Sequence, residues 1–312
     1  MRIGLTGSHG LIGSALRAAL VEGGHEVTVI ARSSGSSQRI RPVGSAPSSS
    51  EPFFDPDGGE GDLRALEGYQ AIIHLAGEPI GDHRWDARVR SRIYSSRVYG
   101  TRSLVGALKA LEQPPSTLLF ASAAGIYGDR GGEVLTEESA SGTGFLAKVV
   151  GDWEAEAMAG ESIAKRVVLL RTGLVLDPKG GLLGRLLPLF KLGLGGRLAT
   201  GEQYMSWITL EDEVRAIQHC LTEEKVRGPV NLAAPNPVTN REFTSILAGA
   251  LSRPAIFTVP AGVLELVLGK EMARELALVS QRITPQVLEA SGFSFSSTRL
   301  DEAIAPLIAT TR

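Results

Sequence analysis

"LTGSHGLIGSAL", residues 5–16, sets three glycines, at 7, 10 and 13, between a short apolar run and a segment with helical spacing. Glycine loses more backbone freedom on folding than any other residue, so such a cluster signals a tight turn or a place where something must approach the backbone closely. Arg2 to Thr6 reads as a buried strand, and Leu11, Ile12, Ala15, Leu16, Ala19 and Leu20 recur at helical spacing. Gly7, Gly10 and Gly13 therefore sit at a helix N-terminus, whose free N–H groups favour a phosphate. A plain strand-turn-helix would also use these glycines. Their place at the head of a strand-helix-strand unit favours a dinucleotide fold.

The 312 residues suffice for one large core or two modest ones, and two lobes are expected. With Lys+Arg 32 against Asp+Glu 34, the formal charge of -2 gives no global pull toward nucleic acid or an anionic membrane. The single cysteine, Cys220, excludes an internal disulfide and fits a reducing compartment, as a small buried hydrophobe in a helix-like stretch. No signal-peptide pattern and no bilayer-length apolar run is present, so a cytoplasmic protein is expected.

Outward from the glycines, Glu26 to Ala31 reads as a second strand, and "RPVGSAPSSSEP" as an excursion within the domain before "EPFFDPD" and "AIIHLAG" resume short strands. A long helix from Trp85 to Leu111, the strand "STLLFASAAGIYG", a helix from about Gly144 to Met158 and the strand "KRVVLLRTGLVL" continue the alternation. That rhythm implies an α/β, Rossmann-type doubly wound parallel sheet. Beyond Leu176 it breaks into leucine-rich and glycine-rich segments, with a helix near Leu210 to Leu221 and a mostly helical tail in which Pro260 and Pro285 start helices. The expected division is 1–176 as the cofactor domain, with 208–232 returning to it, and 177–207 with 233–312 as a smaller substrate-side lobe across a cleft.

Arg32 follows the second strand, where an NAD site places an acid on the ribose hydroxyls. An arginine there suits a 2′-phosphate, so NADP(H) is expected; a solvated loop arginine is the alternative. Arg39 and Arg41 could assist, and Asp55, or Asp62 in another register, could reach the adenine. "HLAG" at 74–77 ends a strand in small residues where a backbone passes the cofactor, with His74 turned into packing. Arg97 falls on the buried helix face marked by Ile93, Leu104, Leu108 and Leu111, and a buried guanidinium needs an anion, either a structural carboxylate or a cofactor phosphate. Arg84, Arg88, Arg90 and Arg92 read as a solvated face. No Cys/His cluster has metal-ligand spacing, and no serine-histidine-acid arrangement suggests a hydrolase.

The set "TGSHGLIG", "ARSSG", "HLAGEPI…RW", "SAAGIYG", "FLAKVVGDWE", "RTGLVL", "GLGG…GEQYMSWI", "NLAAPNPVTNREF" and "GFSF" resembles, nearly end to end, the atypical extended short-chain dehydrogenase/reductases labelled epimerase-family proteins. That resemblance implies a Rossmann lobe for NADP(H), with contacts from the glycine loop including Leu11 and Ile12, from Ala31 and Arg32, Leu75 and Ala76, Arg97 and Val175.

Ordinary relatives use Tyr-x-x-x-Lys on the helix after the fifth strand, where the lysine lowers the tyrosine pKa for proton exchange as hydride moves. Here those positions carry Leu146 and Val150, and Lys148 lies between them on another face. Ser122 could bond a substrate carbonyl or its own backbone. Tyr127, the nearby phenol, could donate a proton or pack over the nicotinamide. "GEQYMSWI" at 201–208 offers Gln203, Tyr204, Met205, Ser206 and Trp207 as a cleft wall, with Trp207 alternatively stapling the lobes. Trp153 and Glu154 read as packing and as capping or salt-bridging. The expectation is an NADP(H) oxidoreductase, a monomer or homodimer, reducing a carbonyl or conjugated double bond of a small polar substrate such as a sugar nucleotide. The rival is a catalytically silent NADP(H)-binding sensor or scaffold.

Overall fold

Apolar runs without polar alternation fold as strands covered on both faces, and six of them build the centre of the molecule. In the computed structural model, Arg2–Thr6 (β1), Glu26–Val29 (β2), Ala71–His74 (β3), Thr117–Ala123 (β4), Arg166–Thr172 (β5) and Gly228–Leu232 (β6) form an all-parallel sheet in the order β6-β5-β4-β3-β1-β2. Residues 1–32, 52–55 and 62–309 are described. Arg39, Arg41 and most of the serine-rich excursion lie outside them. The order reverses at β1, which pairs with β2 on one side and β3 on the other, opening a crevice beyond the strand C-termini.

Side chains alternate along each strand, so β5 sends Val168 and Leu170 to one face and Val167 and Leu169 to the other. The first face is covered by Leu11–Glu22 (α1) through Leu16 and Leu20, and by Leu210–Thr222 (α5) through Ile217 and Leu221. Ala87–Lys109 (α2) and Phe145–Met158 (α3) cover the second, with Leu104, Leu108 and Ala157 meeting Leu118 and Phe120. Cys220 is buried in the first cluster, where desolvation pushes its thiol up to about 12. The long helix begins two residues later than its sequence suggests because Asp86 caps it, accepting from the Val89 N–H at 2.7 Å.

"RVVLLRTGLVL" is two strands rather than one. A Cβ at Gly173 would lie 2.7 Å from the Ser206 carbonyl oxygen, and beyond it Leu174–Asp177 leaves the sheet to pair with Trp207–Thr209. The second strand likewise breaks, with Ala31–Arg32 pairing Phe53–Phe54 instead of continuing β2.

Gly181–Lys191 (α4), Asn240–Ala250 (α6) and the C-terminal helix Leu300–Ala309 share a further core of Leu183, Leu187, Phe243, Leu247, Leu300 and Ile304. Pro260 stands at the N-cap of Ala261–Leu268 (α7), and Pro285 precedes the helix Gln286–Ala290. Leu288 is fully buried in the core of the first sheet face, and Val287, Phe293 and Phe295 pack against that core. Among the described residues no helix is long and apolar enough to cross a membrane.

Candidate functional site

The three glycines differ in what their missing side chains permit. Gly7 has φ +70°, and a Cβ there would sit 2.7 Å from the Leu75 carbonyl carbon and 2.8 Å from the Ala76 nitrogen. At Gly13 a Cβ would stand 2.1 Å from the Gly7 oxygen, so bare helix backbone packs on the loop. Only Gly10 has room, with its nearest contact at 3.4 Å. Thr6 fixes the neighbouring strand end: its Oγ1 accepts from the Leu75 and Ala76 N–H groups at 3.1 and 3.2 Å. The same hydroxyl bonds the Nδ1 of buried His74 at 2.8 Å, and burial pushes that imidazole down to about 3, keeping it neutral. His74 thus ties β1 to β3 and packs edge-on against Phe54 and Phe120.

α1 begins at Gly10 without a side-chain cap, leaving the N–H groups of Leu11 and Ile12 at the crevice. The Leu11 side chain lies against Gly180, where a Cβ would meet it at 3.1 Å, and a Cβ at Gly181 would meet both Leu11 at 3.6 Å and the Val175 carbonyl oxygen at 3.2 Å, so the strand Leu174–Asp177 lies beside α1. Opposite, Arg97 donates to the Glu78 and Ile93 carbonyls at 2.9 and 3.3 Å and stacks over Trp153. None of the ion pairs among the described residues includes it, because Glu78 pairs with Arg92. Burial lowers its pKa to about 10, partly opposed by the Glu78 charge, so it stays cationic at neutral pH. Ala31 and Arg32 are exposed at the far edge of the crevice.

Ser122 and Tyr127 are held in a buried polar network. Ser122 donates to Glu154 Oε1 at 2.5 Å, and Glu154 in turn holds Arg171 with two bonds of 2.9 Å. Tyr127 is fully buried; its hydroxyl donates to Asn231 Oδ1 at 2.6 Å and accepts from Arg171 at 3.0 Å. Burial raises the Tyr127 pKa, and although burial opposes the Arg171 charge, Glu154 raises its pKa overall. Both hydroxyls therefore join a polar network between sheet and α3. On the other side of β4, Ala121 and Ala123 are the partly open positions.

Leu146 and Val150 are buried aliphatics, and Glu154 continues their i, i+4, i+8 stripe into the network. Lys148 lies outside that stripe, paired with Asp152 at 2.6 Å and mostly exposed. Beside Leu146 opens a pocket of about 390 Å³, lined among others by Gly125, Asp129, Thr143, Arg274, Glu275 and Gln281. The Glu275 carboxylate accepts from the Phe145 and Leu146 N–H groups at 2.8 and 2.7 Å, capping α3 from 130 residues away. No local sequence signal marks Glu275 or Gln281.

The expected wall at 201–208 is held by contacts of its own. Trp207 is fully buried in the second core, donating to the Asn236 carbonyl at 3.0 Å, while its backbone pairs with Leu174. Gln203 is held by the Leu198 and Ala277 carbonyls, and Met205 packs near Asn240. These residues do not line the pocket beside Leu146.

A parallel sheet reversing at β1, with a crowded glycine turn and an uncapped helix at the reversal, defines a Rossmann-type dinucleotide-binding protein. The profile described as "NAD dependent epimerase/dehydratase family" matches residues 3–233, and the chain belongs to that family. A second profile, described as a domain of unknown function (DUF1731), matches 259–307. An epimerase family protein of Mycobacterium bovis is 42% identical over 99% of this chain and 98% of its own, and one of Bacillus subtilis, YfhF, is 33% identical over 99% and 98%. The fold is similar to the crystal structure of the human epimerase family protein SDR39U1 with NADPH, at TM-score 0.82 and 28% identity, covering 99% of both chains.

Proposed function

We propose that this chain binds NADP(H) across the crevice and reduces an electrophilic carbonyl or conjugated double bond of a small polar substrate. The residues fit such a cofactor. Gly7 and Gly13 carry no atoms that would lift the loop, Gly10 leaves its outer side open, and Arg97 is a held cation without an ion-pair partner among the described residues. In this reading Leu11, Ile12 and Gly13 offer N–H groups to the pyrophosphate, Leu75, Ala76 and Val175 line the cofactor, Arg97 faces its phosphates, and Arg32, beside Ala31, takes the 2′-phosphate. The human relative crystallised with NADPH supports the same cofactor.

The observation that carries the reaction type is Leu146. Where a tyrosine would exchange a proton, this chain places a buried aliphatic residue beside the 390 Å³ pocket, with Val150 one turn on. When bound, NADPH supplies a hydride. An alkoxide or enolate formed in the pocket would meet Arg274, whose Nε pairs with Glu265 at 2.9 Å, and would take its proton from water. Oxidising a sugar hydroxyl needs a base at that point, and losing general acid–base help costs about 10² to 10⁴ in rate.

The test follows NADPH absorbance over a panel of carbonyl and enone compounds, beside UDP-glucose and UDP-galactose interconversion. NADPH consumption with little or no sugar interconversion is expected. Rapid interconversion would overturn the reading, and tight NADPH binding with no turnover on any compound would favour a silent sensor or scaffold.

A further inference from the structure

On the second lobe, away from the glycine crevice, lies a cavity of about 520 Å³ that shares no residue with the cofactor or reaction sites. It is lined from the short strand Gly196–Leu198, from α6, from the turn after α6 and from Phe257–Val259. Three arginines on three of these segments converge on it: Arg197, Arg241 and Arg253. No carboxylate is among its lining residues, whose polar members are otherwise Thr244, Ser245 and Thr258.

The arginines are unequally engaged. Arg241 reaches the Thr200 carbonyl and forms an exposed ion pair with Glu202. Arg197 is oriented by a bond from its Nε to Thr258 Oγ1 at 3.0 Å, and neither it nor Arg253 takes part in the ion pairs of the described residues. Among the described residues, two cations are left without an acid. Like charges gathered without an acid repel, and a phosphate accepts from guanidinium groups in the geometry that arginine presents.

The backbone is fixed on both sides of this place. Ser252, at φ +52°, is the left-handed residue that ends α6, with the Arg253 N–H donating to the Ala248 carbonyl at 3.0 Å. Ala199, also at φ +52°, sits in a turn closed by the Gly201 N–H on the Leu198 carbonyl at 2.9 Å, two residues after Arg197. Phe257, half exposed at 50%, and Ile256, exposed at 80%, add an apolar rim.

We propose that this cavity binds a phosphate-bearing anion, held by Arg197 and Arg253 with Arg241 at its edge. The phosphate could belong to a free metabolite or to a lipid headgroup, and the two are separable. The full chain, saturated with NADPH so that the crevice is filled, is titrated calorimetrically with inorganic pyrophosphate, and its flotation with phosphatidic-acid vesicles is measured against phosphatidylcholine vesicles. Binding in at least one arm should weaken tenfold or more in the Arg197→Gln/Arg253→Gln double variant. It should weaken similarly in Gly249→Leu, which fills the cavity from an open helix position without touching charge. Pyrophosphate binding assigns a free phosphate; flotation on phosphatidic acid alone assigns a headgroup. Binding in neither arm, or binding undiminished in both variants while their melting temperatures match the wild type, would overturn the site.

Discussion

Replacing Glu213 by Gln should remove a loss of stability that the wild type suffers as pH rises from 5 to 7. Glu213 is fully buried in α5; its Oε1 accepts from Thr172 at 2.8 Å, and its Oε2 has no hydrogen-bond partner. Burial raises its pKa from 4.5 to about 8, with the Thr172 bond opposing, so the folded protein holds it as a neutral acid at pH 7. The unfolded chain releases that proton near pH 4.5. Between the two values the folded state binds more protons, so stability is present below the unfolded value and is lost as pH rises toward 8. Each unit is worth about 1.4 kcal/mol, and moving from pH 5 to pH 7 therefore costs the wild type about 2.7 kcal/mol through this group. Glutamine keeps the acceptor for Thr172 and has no proton to lose. His74 pulls the other way, since its depressed folded pKa gives stability that is present above pH 6.5 and lost as pH falls, but it is common to both proteins. Urea unfolding of both at pH 5, 6 and 7 isolates Glu213. The variant should gain on the wild type by roughly 2 to 3 kcal/mol across that range, and a difference independent of pH would refute a buried neutral carboxyl.

Other substitutions separate structural from cofactor roles. Gly13→Ala should destabilise the apo protein by about 1 to 3 kcal/mol, the usual cost of overpacking, because its Cβ would overlap the Gly7 oxygen; Gly10→Ala should leave thermal melts near wild type and weaken NADPH binding in a fluorescence titration. Arg97→Met should lower NADPH affinity by about 1.5 to 3 kcal/mol, the loss of a charged hydrogen bond, while apo melting changes little; the reverse pattern would make Arg97 structural. Tyr127→Phe strips Asn231 of a donor and Arg171 of an acceptor, and should cost about 1 to 3 kcal/mol in urea unfolding. Any NADPH-consuming activity should survive it; selective loss of activity at unchanged stability would restore Tyr127 to the site.

The fold was legible because its signals are local. Glycines 7, 10 and 13, the unbroken apolar runs and the helical spacing of Leu16 and Leu20 each act within a few residues. The absent dyad was legible for the same reason, since Leu146 and Val150 are a matter of spacing on one helix. What the sequence hid is long-range. Ser122 and Tyr127 looked available at a strand end, but Glu154, Arg171 and Asn231, from α3, β5 and β6, claim their hydroxyls. Glu275 reaches the α3 N-terminus across 130 residues, and the sequence leaves Trp207 between a cleft wall and a packing role, while its strand pairs with Leu174 inside the second core. Strand-end alternation carried one usable hint: Ser122 is out of phase with Ala121 and Ala123, which face the other side.

The central claim, an NADP(H) crevice read by Arg32, is tested most directly by titrating wild type and Arg32→Asp with NADPH and with NADH. The account predicts that the variant loses NADPH affinity by about 1.5 to 3 kcal/mol, roughly 10- to 150-fold, with much less change toward NADH. Equal loss for both cofactors, or none for either, would contradict it.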